Sequence, residues 1–158
     1  MSMKSLLAEV SQLHYPRPPA TPLQIAAFEA RMGWKLDEEL RAFYLHCNGA
    51  MLFAPLPDVN YHLLPLESIE RASVAIRGSE EGADGSPSHF TLVDMQDTNF
   101  VLLDVATPVN GCYPLLDAFH ETYPDEAPRI ATSFAKFLEK ALRSGNRSFW
   151  LSDGPLEE

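Results

Sequence analysis

The sequence predicts an α+β fold: one domain over residues 1–158, with a central, mostly antiparallel sheet packed by helices. Three observations predict it. Residues 21–47 hold two amphipathic helices with clear start and stop signals. Strand signals follow one another late in the chain without helices between them. No stretch is long and polar enough to divide 158 residues into two domains.

The N-terminal segment, residues 1–15, reads as a short amphipathic helix through Leu6, Val10 and Leu13, stopped by Pro16, Pro18 and Pro19. Glu9 and Gln12 interrupt it and no small-residue cleavage site follows, so it does not read as a signal peptide. Thr21 is a strong N-cap for the next helix, with Pro22 at the first helical position and Gln24 completing a capping box. Ile25, Phe28 and Met32 form its apolar stripe, and Gly33 can end it in the left-handed conformation. Asp37 can cap a following helix, with Glu38 and Glu39 at the positive end of its dipole. Leu40, Phe43, Tyr44 and Cys47 fall at i, i+3, i+4 and i+7, one buried face. Asn48-Gly49 supplies two residues tolerant of positive φ, where the chain can turn sharply.

Beyond Gly49 comes a proline-broken connection, with Phe53 and Leu56 turned inward. Tyr61 opens a short strand, and residues 66–76 read as a helix through Leu66, Ile69, Ser73 and Ile76. Residues 77–88, rich in Gly, Ser and acid, read as a loop. HFTLVDM and NFVLLDV form a hairpin, and GCYPLL is a further strand whose Pro114 places it at an edge or marks a strand end. A polar connection spans 117–128. The last helix runs from Ile130 to Leu142, with Ile130, Phe134, Phe137, Leu138 and Ala141 on one face. Phe149 and Trp150 are expected to fold back on the domain, and 152–158 to form a loose tail.

Charge is unevenly placed. Residues 1–79 hold seven Lys/Arg and eight Asp/Glu; residues 80–158 hold five and fourteen. No cation lies between Arg77 and Arg129, a stretch with ten carboxylates: Glu80, Glu81, Asp84, Asp94, Asp97, Asp104, Asp117, Glu121, Asp125 and Glu126. Such a surface repels phosphate, which argues against nucleic acid as a partner, and attracts a basic protein. Glu80, Glu81, Asp84, Asp97, Asp125 and Glu126 fall in predicted loops and are the candidate partner contacts. No run approaches the ~18 apolar residues of a membrane span. Two cysteines, Cys47 and Cys112, fit a cytoplasmic location as free thiols, although their number also allows one disulfide.

Catalytic and metal-binding patterns fail on spacing. His46 and Cys47 are neighbours, and neighbours on a helix point apart. His120-Glu121 lacks the second histidine of a metalloprotease helix. The residues from Asp97 lack the Gly and Glu of a calcium loop. No nucleophile elbow, phosphate-cradling loop or dinucleotide fingerprint occurs. The expectation is therefore a non-catalytic protein with no cofactor and no metal. A cavity gathering Asp94, Asp117 and His120 would revive an enzymatic reading.

The block from 21 to 49 resembles the SUKH superfamily, named partly after a yeast cell-wall regulator of the Smi/Knr type. The matching residues are Ile25, Phe28, Glu29, Gly33, Leu36, Phe43, Tyr44, Asn48 and Gly49. A second match lies at Ala131, Ser133, Phe134, Phe137 and Leu138, so the resemblance spans about Thr21 to Leu142. Asp37 stands where the family usually has Pro. The resemblance implies a mixed α/β domain with a central sheet. It also implies a protein-binding function, most often that of an immunity protein that blocks a cognate bacterial toxin, frequently a nuclease. The alternative it allows is an intracellular regulator or adaptor that binds an endogenous protein or peptide.

Overall fold

The computed structural model of the chain describes residues 2–53, 61–78, 87–96 and 98–151. Its elements are α1 (Met3–Leu13), β1 (Tyr15–Pro16), α2 (Pro22–Met32), α3 (Glu38–His46), β2 (Ala50–Leu52), β3 (Tyr61–Leu63), α4 (Ala72–Arg77), β4 (His89–Asp94), β5 (Phe100–Asp104), β6 (Leu115–Ala118), β7 (Arg129–Ala131) and α5 (Phe134–Leu142). Single 3₁₀ turns occupy Leu66–Ser68 and Phe149–Leu151. Among the described residues, the seven strands form one sheet in chain order, and every neighbouring pair is antiparallel. This is an α+β fold.

The two helices of 21–47 start and stop where their signals lie. Thr21 Oγ1 accepts from the Gln24 N–H and Gln24 Oε1 from the Thr21 N–H, at 3.1 and 2.8 Å. Gly33 ends α2 at φ +83°. Asp37 Oδ1 caps α3 by accepting from the Leu40 N–H, and Oδ2 accepts from the Tyr113 N–H. Asp37 therefore joins the helix to the segment before β6, which Pro could not do.

Paired residues of an antiparallel sheet point to the same face. One face carries Ala50, Leu63, Val93 and Val101, then Leu103, Leu115 and Ala131, and packs into the main core with α1, α2, α3 and α5. Phe43 lies at its centre, 4.9 Å from the Tyr44 ring and 5.0 Å from Phe134. The other face carries Leu102, Leu116 and Ala118, covered by Ala72 of α4 and by Tyr123. Phe149 and Trp150 fold back against Phe137. The Tyr61 hydroxyl donates to the Arg147 carbonyl and ties down the same segment.

Several sequence expectations shift. Leu13 is 67% exposed, and Leu7 joins Leu6 and Val10 in the core instead. Only Gly49 of the Asn48-Gly49 pair has positive φ. Residues 66–76 are not one helix. After the 3₁₀ turn, Glu70 and Arg71 run beside β4: the Thr91 N–H donates to the Glu70 carbonyl, the Glu70 N–H donates to Thr91 Oγ1, and Arg71 bridges Phe90. Sheet-like pairing there outweighs helical periodicity. The last helix begins at Phe134, because Ile130 belongs to β7 and Ser133 is the cap. β1, β2 and β7, of two, three and three residues, lie outside the sequence expectations. β6 begins just after Pro114 and lies between β5 and β7, so the proline marks a strand end. Phe53 is half-buried at φ +67°; Leu56 and the tail 152–158 lie outside the described residues.

Candidate protein-binding surface

The connection between β6 and β7 is built by local turns and one buried anchor. The Tyr123 and Thr122 N–H groups donate back to the Phe119 carbonyl, and the Glu126 N–H donates to the Thr122 carbonyl. Tyr123 is fully buried against Leu102 and Leu116. Its hydroxyl lies 2.8 Å from His89 Nδ1, and His89 Nε2 faces Asp104 at 3.7 Å. The proton therefore belongs on Nε2, and Nδ1 accepts from Tyr123. Burial pushes the His89 pKa below its ordinary value, and the Asp104 carboxylate offsets part of that.

A second fastening joins this connection to the β4–β5 turn. Asn99 Oδ1 accepts from the His120 N–H and lies 2.9 Å from His120 Nδ1. With its apolar and polar anchors turned inward, the connection leaves Glu121, Asp125 and Glu126 exposed. Of the six candidate contacts, Asp125 and Glu126 are thus neighbours on one pinned segment. Glu80, Glu81, Asp84 and Asp97 lie outside the described residues. Gln96 and Thr98, on either side of Asp97, are exposed within the turn that Asn99 fastens.

Other carboxylates of the run serve local structure. Asp94 accepts from the Gln96 N–H, and Asp104 accepts from the Ala106 N–H, Thr107 and Ser88. Asp117 lines a small cleft of about 180 Å³ with Met95, Asn99, Phe119, Ser148 and Trp150. Burial raises its pKa. Asp94 and His120 do not join Asp117 in lining this cleft. Among the described residues no three His, Cys, Asp or Glu side chains are grouped to hold a metal. Cys47 and Cys112 are both free thiols.

The residues of the short family-like patterns sit in the architecture. Ile25, Phe28, Leu36, Phe43, Tyr44, Phe134 and Phe137 are buried. Glu29 Oε2 accepts from the Leu36 N–H at 2.9 Å and closes the loop between α2 and α3. Asn48 Oδ1 accepts from the Leu66 N–H, and Asn48 Nδ2 donates to Glu67. Gly49 lies against the backbone of Leu63 to Pro65. Ser133 Oγ accepts from the Lys136 N–H.

A family model described as the SMI1/KNR4 family (SUKH-1) matches residues 19–140. The chain belongs to this family. No curated protein matches the chain. The SUKH-1 span runs from just before α2 into α5 and includes both fastenings of the β6–β7 connection. α1 and the Phe149–Leu151 turn lie outside it yet pack on it. Arg143 at the end of α5 donates to Glu9 of α1 at 2.7 Å. Among the described residues of this SUKH-1 chain, no helix is long and apolar enough to cross a membrane.

Two surface features escaped the sequence reading. The solvent-side row Tyr15, Met51, His62 and Asp94 crosses four strands, with Tyr15 48% and Met51 38% exposed. Its only sequence signal was the alternation in the three-residue strands. The other feature is a groove beside α2. Its walls, α2 up to Met32 and the segment from Leu66 to Val74, are far apart in the chain, and no sequence pattern pairs them.

Proposed function

We propose that this SUKH-1 protein is a non-catalytic binding domain that acts as an immunity protein, neutralising a cognate basic toxin of the nuclease type in the cytoplasm. Members of the family work by binding partner proteins. The observation that carries the basic partner is the pinned β6–β7 connection. It displays Glu121, Asp125 and Glu126 within a stretch that has no Lys or Arg from 78 to 128. A nuclease must attract phosphate, and carboxylates held at fixed positions compete for the same cationic surface. A stable complex of this kind buries on the order of 1,600 Å². The acidic connection is one part of that area.

The test is capture of the partner by the intact protein, identification by mass spectrometry, and co-expression of the two. Rescue of growth from the captured protein supports immunity. Capture of a non-toxic endogenous protein, with no rescue, replaces this reading with the regulator or adaptor that the family also allows.

A further inference from the structure

Along α2, the residues Gln24, Ala27, Phe28, Arg31 and Met32 recur at helical spacing on one face, opposite the segment from Leu66 to Val74. Two clefts of about 300 and 450 Å³ open between these walls, and Arg31 lines both. They form one groove. The eight residues from Arg31 back to Gln24 cover about 12 Å of helix, enough for an extended peptide of roughly four residues.

The groove differs in charge from the rest of this acidic chain. Arg31 is exposed and held in place: one guanidinium nitrogen donates to the Leu66 carbonyl at 3.3 Å, and its carbon lies 5.5 Å from the Phe28 ring centre. Arg71 lies across the groove from Met32, beside Phe90. Its Nε is buried and has no hydrogen-bond partner among the described residues. A buried charged donor without an acceptor marks a place where an incoming acceptor gains most. Of the two carboxylates on the wall, Glu67 is engaged by Arg17 and Asn48, and Glu70 is exposed at the rim. The rest of the larger cleft, Met32, Ile69, Val74, Pro87 and Phe90, is apolar, while the smaller cleft also carries the polar side chains of Gln24 and Asn48. Guanidinium groups set in apolar walls suit a carboxylate flanked by apolar side chains.

We propose that this groove binds an extended segment of a partner protein, with an Asp or Glu side chain meeting Arg31 and Arg71 and its apolar neighbours lying on Met32, Val74 and Phe90. The inference does not depend on the partner being a toxin, and its test uses peptides alone.

The probe is a set of capped tetrapeptides pairing Glu or Asp with Leu, Val or Phe, beside counterparts carrying Gln or Asn. Binding to the full chain is read by NMR from the two indole N–H signals. Trp34 packs between Phe28 and Phe90, at 5.4 and 5.1 Å, directly behind the groove, whereas Trp150 packs on Phe137 and Phe149. The expected result is a shift of Trp34 alone, binding at least about tenfold weaker for the amide peptides, and a similar loss in R31Q and R71Q. Equal binding of acid and amide peptides overturns the proposal. So does a shift of Trp150 instead, unchanged binding in both variants, or no binding by any acidic peptide. Should R71Q fail to fold, R31Q decides, because Arg31 is exposed and its loss leaves the core intact.

Discussion

A Cβ at position 49 would lie 2.7 Å from the Leu63 carbonyl oxygen and 2.9 Å from the Pro65 nitrogen, and the backbone there has φ +93°. Position 33 has φ +83° with nothing within 4 Å. Gly33→Ala should therefore cost only the left-handed backbone, about 1 kcal/mol, while Gly49→Ala adds a backbone collision and should cost about 3 kcal/mol or more. Urea unfolding of both variants checks the ordering. The Asn48-Gly49 pair was legible as a turn, but the reason for Asn48 was not. Its side chain serves Leu66 and Glu67, partners that only the folded chain supplies. The cysteines also separate by environment. Burial pushes the Cys47 thiol up to about 12; burial and the nearby Glu39 and Asp37 carboxylates also raise Cys112, but Cys112 is partly exposed where Cys47 is buried. Iodoacetamide at mildly alkaline pH should modify Cys112 alone in the native protein and both thiols in denaturant. Equal labelling of the two in the native state would show that Cys47 is accessible.

At the scale of elements, the capped helices were read correctly because their signals are local: Thr21 with Gln24, Asp37 with Leu40, a glycine at the end. The misread elements were decided by partners distant in sequence. Glu70 and Arg71 leave the helical pattern because Thr91 and Phe90 pair with them. Ile130 fits the stripe of α5 but is held in β7, and Glu39 of α3 supports the true start of α5 by accepting from the Ala135 N–H at 2.8 Å. The Asn110-Gly111 pair, both at positive φ, closes a tight hairpin between Val109 and Cys112 that its two residues alone could have revealed. Two connections depend on neutral histidines. His89 holds Tyr123, and His14 Nδ1 accepts from the Phe53 N–H; burial lowers the pKa of each. A histidine with a lowered folded pKa lets the unfolded chain take the proton first. Its contribution is complete above the unfolded value of about 6.5 and is lost as pH falls below that toward the folded value. Stability should drop over the window that opens as pH falls below about 6.5. The His89→Gln variant should show a shallower drop in urea titrations across that window, and an unchanged slope would remove His89 from the account.

For the whole molecule, the fold class and family were legible, since ordered short patterns from Thr21 to Leu142 nearly coincide with the matched span of 19–140. The acidic stretch was legible as a charge imbalance. Its division into structural carboxylates (Asp94, Asp104) and exposed ones (Glu121, Asp125, Glu126) required the turns that bind the former. A charge effect also belongs at this scale. With the captured basic partner, the double variant D125K/E126K should associate about tenfold more slowly at low salt and show a flatter salt dependence, with a smaller change in dissociation. The triple variant E80K/E81K/D84K tests the other acidic segment in the same stopped-flow measurement. An unchanged low-salt rate in both would remove electrostatic steering from the mechanism. The chain-order sheet has a further consequence. Its middle pair, β4 with β5, is registered over five residue pairs, and its outermost pair, β1 with β2, over two. Each strand pairs only with its neighbours in sequence, so opening of the sheet can peel inward from the margins. Deuterium should enter the amides of β1 and β2 first and those of Leu102 and Leu103 last.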